Sequence, residues 1–336
     1  MEKMQAVTPE TTQAGTPTMR VQRILTLDGG GIRGLVSAIW LEALQAKLHA
    51  AGKGALHEHF DLIAGSSTGA LIAMGLASGM PAKDITTLYE HFGDDVFPGA
   101  AERLWSRVTR SFTQGLSAPR YSPKGLERVL KRVFSDRTLG SVAPRAMAIA
   151  YDTVARTPLF FKSFKPEHAD IPLWEVCRAA TAAPTYFPAH LATIERRRRA
   201  LIDGGVVANN PTACAIAEAV RLNDDASLKD IVLLSVGTGQ ATRPISEREA
   251  TSWGPLEWAI PIIDVLFDGS ADSVDYIAGQ ILGNGAYFRL QTPLTRGYDD
   301  FDSVDQTNLM GLRRTAEAHL ERKETQAALD RLVSLL

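Results

Sequence analysis

Two segments of this chain share one grammar: an apolar run, a glycine-containing turn, then a helical pattern. The first is "ILTLDGGGIRGL", Ile24–Leu35, and the second is "FDLIAGSSTGALIAMGLA", residues 60–77. A strand that passes through glycines directly into a helix belongs to a sheet with crossover helices, which limits the fold severely. Further strand-like runs, "RAMAIAYDT", "TPLFFKSF", "ALIDGG" and "IVLLSVGTG", alternate with helical text such as "SPKGLERVLKRVF" and "PLWEVCRAATAAP". The last of these runs is apolar almost throughout, as expected of a strand covered on both faces. The expected architecture is α/β, with a mostly parallel sheet and helices on both sides.

Bulk properties narrow the function classes. Hydrophobic content of 45% and charged content of 22% are those of an ordinary globular protein. A net charge of −2 gives no basic field for a nucleic-acid polymer. Cys177 and Cys214 stand far apart in helix-like text, which makes them small buried hydrophobes rather than a disulfide or metal pair. Residues 1–18 are polar and rich in Thr, with no apolar core, so a disordered tail is expected there and one domain over 19–336. The uncharged stretch Leu62–Ala82 is broken by "GSSTG", which fits strand, turn and buried helix better than a membrane span. A soluble, cytoplasmic protein is the expectation.

The two glycine turns raise different chemistries. Gly29, Gly31 and Gly34 fit G-x-G-x-x-G, the dinucleotide-binding spacing, but that site also needs an acid at the tip of the second strand. Here the second strand ends in Gly65-Ser66-Ser67-Thr68-Gly69, a G-x-S-x-G with the strand-to-helix context of a nucleophile elbow. Its register makes Ser67 the exposed nucleophile. The glycine loop then gains another use. Gly29, Gly30 and Gly31 can present backbone N–H groups to a developing oxyanion as well as to a phosphate.

A serine nucleophile needs a base. After residue 203 the sequence holds only His319, inside the charged helical text "RRTAEAHLERK", which reads as solvated. His190, after "TYFPA", reads as structural. His57 and His59, at i, i+2 spacing without further ligands, make a weak metal pair, so no metal or cofactor is expected. Asp203, at a strand end and followed by Gly204 and Gly205, is the better partner. An ordinary aspartate is too acidic for the task, so burial would have to raise its pKa. A turn aspartate bonding its own backbone is the competing reading of that motif alone.

Together "DGGGIRG" at Asp28–Gly34, "GSSTG" at Gly65–Gly69 and "DGG" at Asp203–Gly205 resemble the signature of the patatin-like phospholipases, in family order. The pieces "LIDGGVVANNP", "VLLSVGTG" and "YFRLQ" add to the resemblance, which extends over roughly Arg23–Arg322. It implies a three-layer α/β/α sandwich and metal-free hydrolysis of phospholipid acyl esters. It also implies a Ser67–Asp203 dyad and an oxyanion hole at Gly29–Gly31 with Arg33 beside it. A membrane phospholipid would be the substrate, with transient association at the inner membrane face. Family members of this size are similar either to general lipid hydrolases or to antiphage effectors switched on by a cyclic nucleotide. The basic run Arg196–Arg199 reads as a solvated loop or an anion-facing surface. The Arg- and Trp-bearing segment 103–120 and Trp258–Phe267 are candidates for a lid or interfacial patch, against plain surface and core helix. A nucleotide-dependent oxidoreductase and a catalytically silent module are the alternatives, and the oligomeric state, monomer or homodimer, stays open.

Overall fold

The computed structural model describes residues 21–97, 119–222, 227–258, 261–283 and 285–336. The expected disordered tail and nearly all of segment 103–120 lie outside these described residues. Strands β1 (Gln22–Leu27), β2 (Leu62–Ser66), β3 (Arg145–Asp152), β7 (Ile231–Val236) and β8 (Tyr287–Leu290) form a parallel ladder in the order β3-β2-β1-β7-β8. The strands β4 (Thr157–Lys162), β5 (His190–Ile194) and β6 (Arg197–Asp203) extend it with antiparallel pairings. The expected mostly parallel sheet is therefore parallel at its centre and antiparallel at one side.

Alternation along the strands sends side chains into two separate cores. Leu25, Leu27, Ile63, Ala148, Leu234 and Val236 face one side. There they meet α1 (Gly34–Ala50), α2 (Thr68–Ala77), α3 (Ala82–Val96), α4 (Pro123–Phe134) and α5 (Leu173–Ala180). The residues that alternate with them along the strands, Ile24, Leu62, Ala64, Met147, Ile231 and Leu233, face the other side, packing on α6 (Thr212–Arg221) and α7 (Pro261–Leu282). The C-terminal helices α8 (Gln306–Leu320) and α9 (Lys323–Leu335) join the first layer. This is the three-layer arrangement that the family resemblance implies. Among the described residues no helix is long and apolar enough to cross a membrane.

The pairing around β3 positions the chemistry. β4 occupies one edge of β3 over Met147–Asp152, so β2 and β6 must share the other edge. β2 pairs up to Ser66 opposite Ile149, and β6, running the opposite way, ends with Asp203 opposite Ala150. Two strand ends thus meet head-on across adjacent β3 residues. The residues just past each end are forced into contact.

Two local expectations need correction. The run Arg196–Arg199 is not a loop: Glu195 and Arg196, at φ 53° and 62°, turn a β5–β6 hairpin, and Arg197–Arg199 lie on β6. Arg199 is buried and paired with Asp152 at 2.9 Å and Glu195 at 2.7 Å. His319 is not solvated either. It is buried in α8 with its ring 4.9 Å from that of Trp40.

Candidate active site

Ser67 stands between β2 and α2 at φ 50°, a left-handed conformation that costs a non-glycine residue about 1–3 kcal/mol. The turn tolerates it because its flanks carry no Cβ. A Cβ on Gly65 would lie 2.1 Å from the Gly69 carbonyl oxygen, and one on Gly69 would lie 2.1 Å from the Leu27 carbonyl oxygen. Ser66, the variable position of the motif, is fully buried on β2, whereas Ser67 faces a cavity.

The Ser67 hydroxyl donates to Asp203 Oδ2 at 2.6 Å. Asp203 is completely buried, and its Oδ1 accepts the Gly205 N–H at 2.7 Å. Burial pushes the carboxyl up to about 7, against the Ser67 and Gly205 hydrogen bonds that favour its charged form. The "DGG" turn brings its glycines close to neighbours: a Cβ on Gly204 would meet the Ile149 carbonyl at 2.3 Å, and one on Gly205 the Phe267 ring at 2.6 Å. The serine and aspartate that the sequence singles out are thus joined by one short bond.

The glycine loop follows β1, at the carboxyl ends of β1, β2 and β7, where chain order reverses direction across the sheet. Its first peptide is clamped. Gly29 N–H donates to the Asn209 carbonyl at 3.0 Å, and the Gly29 carbonyl accepts from Thr238 Oγ1 at 3.0 Å. Gly31 takes φ +57°, and a Cβ there would lie 2.2 Å from the Phe301 carbonyl oxygen. Among the described residues no acceptor takes the Gly30 or Gly31 N–H. The donors left for a ligand are therefore those of Gly30 and Gly31, with Gly29 committed to the scaffold.

Arg33 is placed differently from its glycine neighbours. Its guanidinium stacks on Phe301 at 4.3 Å, donates to the Asp299 carbonyl at 3.3 Å and lies 3.8 Å from Asp268. It lines a separate polar cavity with Asp28, Gly29, Asn209, Asp268 and Asp272. Burial pushes its pKa down, with Asp268 and Asp264 working the other way.

Ser67 and Asp203 open onto an apolar cavity of about 140 Å³. Gly31, Ile32, Tyr186, Ile263, Phe267 and Phe301 line it together with the dyad. Away from the dyad it is walled by α2, α3 and α4.

Three positions that brace the glycine loop carried no assigned role in the sequence. Asn209 and Thr238 hold Gly29, and Arg289 on β8 pairs with Asp28 at 2.6 Å while donating to Ser235 at 2.9 Å. Each lies in a stretch that the family resemblance already singled out, "ANNP", "VGTG" and "YFRLQ".

The sequence model of the patatin-like phospholipases matches residues 25–216. Patatin-like protein 1 of Oryza sativa subsp. indica is 31% identical over 340 residues, covering 89% of this chain and 80% of the relative. Patatin-like protein 2 of Arabidopsis thaliana is 30% identical over 351 residues, covering 91% of this chain and 84% of the relative. Among solved structures, human GIVD cytosolic phospholipase A2 aligns with a TM-score of 0.44 at 12% identity, covering 94% of this chain and 61% of that one. The chain belongs to the patatin-like phospholipase family, and it is a lipid acyl hydrolase.

Proposed function

We propose that Ser67 and Asp203 form a catalytic dyad that cleaves acyl esters of membrane phospholipids. The observation that carries this reading is the 2.6 Å bond between a strained, cavity-facing serine and a buried carboxylate. Asp203 takes the Ser67 proton as Oγ attacks the ester carbonyl, and the oxyanion develops against the Gly30 and Gly31 N–H groups. A donor of this kind contributes about 3–4 kcal/mol to the transition state. Asp203 returns the proton to the leaving alcohol. Water, deprotonated by the same carboxylate, then releases the fatty acid from Ser67. The apolar cavity takes the acyl chain.

Fatty-acid release from mixed phospholipid vesicles tests the dyad. Ser67→Ala and Asp203→Asn should both remove it while leaving a folded protein, and a fluorophosphonate should label Ser67 in the native chain. Activity retained in either variant would exclude the dyad. Cyclic-nucleotide activation is a further proposal that rests on the resemblance and on the exposed Arg196, Arg197 and Arg198 of the β5–β6 hairpin. Release measured with and without cyclic di- and trinucleotides decides it, equal rates leaving a constitutive hydrolase.

A further inference from the structure

The wall of the apolar cavity has an unusual construction. Thr68, Leu71, Ile72 and Gly75 of α2 line it, at i, i+3, i+4 and i+7. Ile85, Leu88, Tyr89 and Gly93 of α3 line it, and so do Leu126, Val129, Leu130 and Val133 of α4. Three apolar stripes with helix-packing periodicity face one another. Stripes of this kind ordinarily interdigitate, yet here they enclose space.

The stripes are held in a defined register. Tyr89 bonds the Thr68 hydroxyl at the dyad end of α2. At the other end, Ile85 Cδ1 lies 3.4 Å and Met80 Sδ 3.7 Å from where a Gly75 Cβ would stand. The Met80 N–H donates to the Gly75 carbonyl at 3.0 Å, which folds the third residue beyond α2 back over the helix end. The cavity lining therefore runs along α2 from Ser67 to Gly75, where Met80 and Ile85 also line it.

We propose that α2 is a ruler for the acyl chain, with Gly75 as the residue that sets its depth. This inference rests on Ser67 as the acylated residue. From Ser67 to Gly75 is eight helical steps, about 12 Å of rise. An extended chain advances about 1.2 Å per bond, so about ten carbons beyond the carbonyl reach Gly75. With no side chain at 75, that end of the lumen is bounded by backbone, Ile85 and Met80. A methyl there would make only ordinary contacts, whereas a branched side chain would project into the lumen. The enzyme is thus built for acyl chains of up to about ten carbons, admitted methyl end first down α2.

The test uses the full-length protein and p-nitrophenyl esters from butanoyl to hexadecanoyl. In the native chain kcat/KM should climb with chain length up to about decanoyl and then fall. In Gly75→Leu the ratio of decanoyl to butanoyl kcat/KM should fall by about tenfold or more, and Gly75→Ala should lie near the native ratio. Met80→Ala deepens the closed end and should raise the ratio of hexadecanoyl to decanoyl, which gives a readout of opposite sign should Gly75→Leu fold poorly. Unchanged ratios in Met80→Ala, or in a folded Gly75→Leu, overturn the ruler. Labelling with ethyl and decyl fluorophosphonates separates this from the dyad itself. Loss of decyl preference in Gly75→Leu supports the ruler, a decyl preference equal to the native one overturns it, and no labelling of Ser67 by either probe in the native chain overturns the dyad.

Discussion

The Asn209 carbonyl accepts the Gly29 N–H at 3.0 Å, so the first glycine of the loop serves the scaffold and not the substrate. Thr238 Oγ1 fixes the other side of the same residue at 3.0 Å. Clamping Gly29 at both its N–H and its carbonyl orients the Gly30 and Gly31 N–H groups that follow. Thr238→Val keeps the shape and removes one clamp. A lost hydrogen bond of about 1 kcal/mol, expressed through loop geometry, should lower kcat about fivefold with KM little changed. Steady-state kinetics on a soluble ester checks this, and a change confined to KM would contradict it.

Asp203 gives the reaction a pH dependence with a definite sign. Its carboxyl is raised by burial to about 7, and only the ionised form can accept the Ser67 proton. Activity should therefore fall as pH drops through about 7, with kcat/KM declining tenfold per unit below it. Stability should run the opposite way. An aspartate near 4 when unfolded and about 7 when folded binds more protons in the native state, so stability declines as pH rises between those values. Asp203→Asn, inactive, should melt higher than the native chain at pH 8 and lose that advantage near pH 4. Thermal melts at both pH values check it.

How much of this was legible follows from how local each feature is. The two strand–glycine–helix units read directly, because their periodicity change and their glycines lie within about 15 contiguous residues. The glycines could be picked out, but not their reasons, since the Leu27 carbonyl that excludes a Cβ at Gly69 belongs to another strand. The Ser67–Asp203 contact spans 136 positions and exists because β2 and β6 abut on one edge of β3. No spacing rule reports that. The β5–β6 hairpin escaped because its left-handed turn is made by Glu195 and Arg196, where Asn-Gly would be the usual signal. His319 escaped because the charges around it in α8 face solvent while its own side meets Trp40.

The Asp28–Arg289 pair ties the start of the glycine loop to β8 through two nearly buried side chains. Burial pushes Asp28 up, and Arg289 beside it works in the other direction. Arg289→Met leaves that carboxylate without its counter-charge, which should cost about 3–5 kcal/mol of stability. Adding Asp28→Asn to Arg289→Met should recover a large part of the loss, because the uncompensated charge is gone. Urea unfolding of the single and double variants checks this. A double variant no more stable than Arg289→Met would show that packing of the arginine, rather than charge, is what matters.

Helix α7 carries apolar residues on two faces. Ile263 and Phe267 line the cavity, while Ile262, Val265 and Leu266 are exposed beside them. Leu256, in the preceding helical turn Pro255–Trp258, is 87% exposed. Exposed apolar side chains grouped in this way suit contact with the acyl region of a bilayer. Glu257, Asp264 and Asp268 in the same stretch argue against attraction to anionic head groups, so contact should depend on apolar insertion and little on salt. Burying each leucine contributes about 2 kcal/mol. Leu256→Asp with Leu266→Asp should therefore weaken vesicle binding at least tenfold and lower phospholipid hydrolysis to match, while rates on a water-soluble ester hold. Sedimentation with vesicles, read beside the two activities, checks it. Equal loss on both substrates would place these residues in the folding of the site instead of at the membrane.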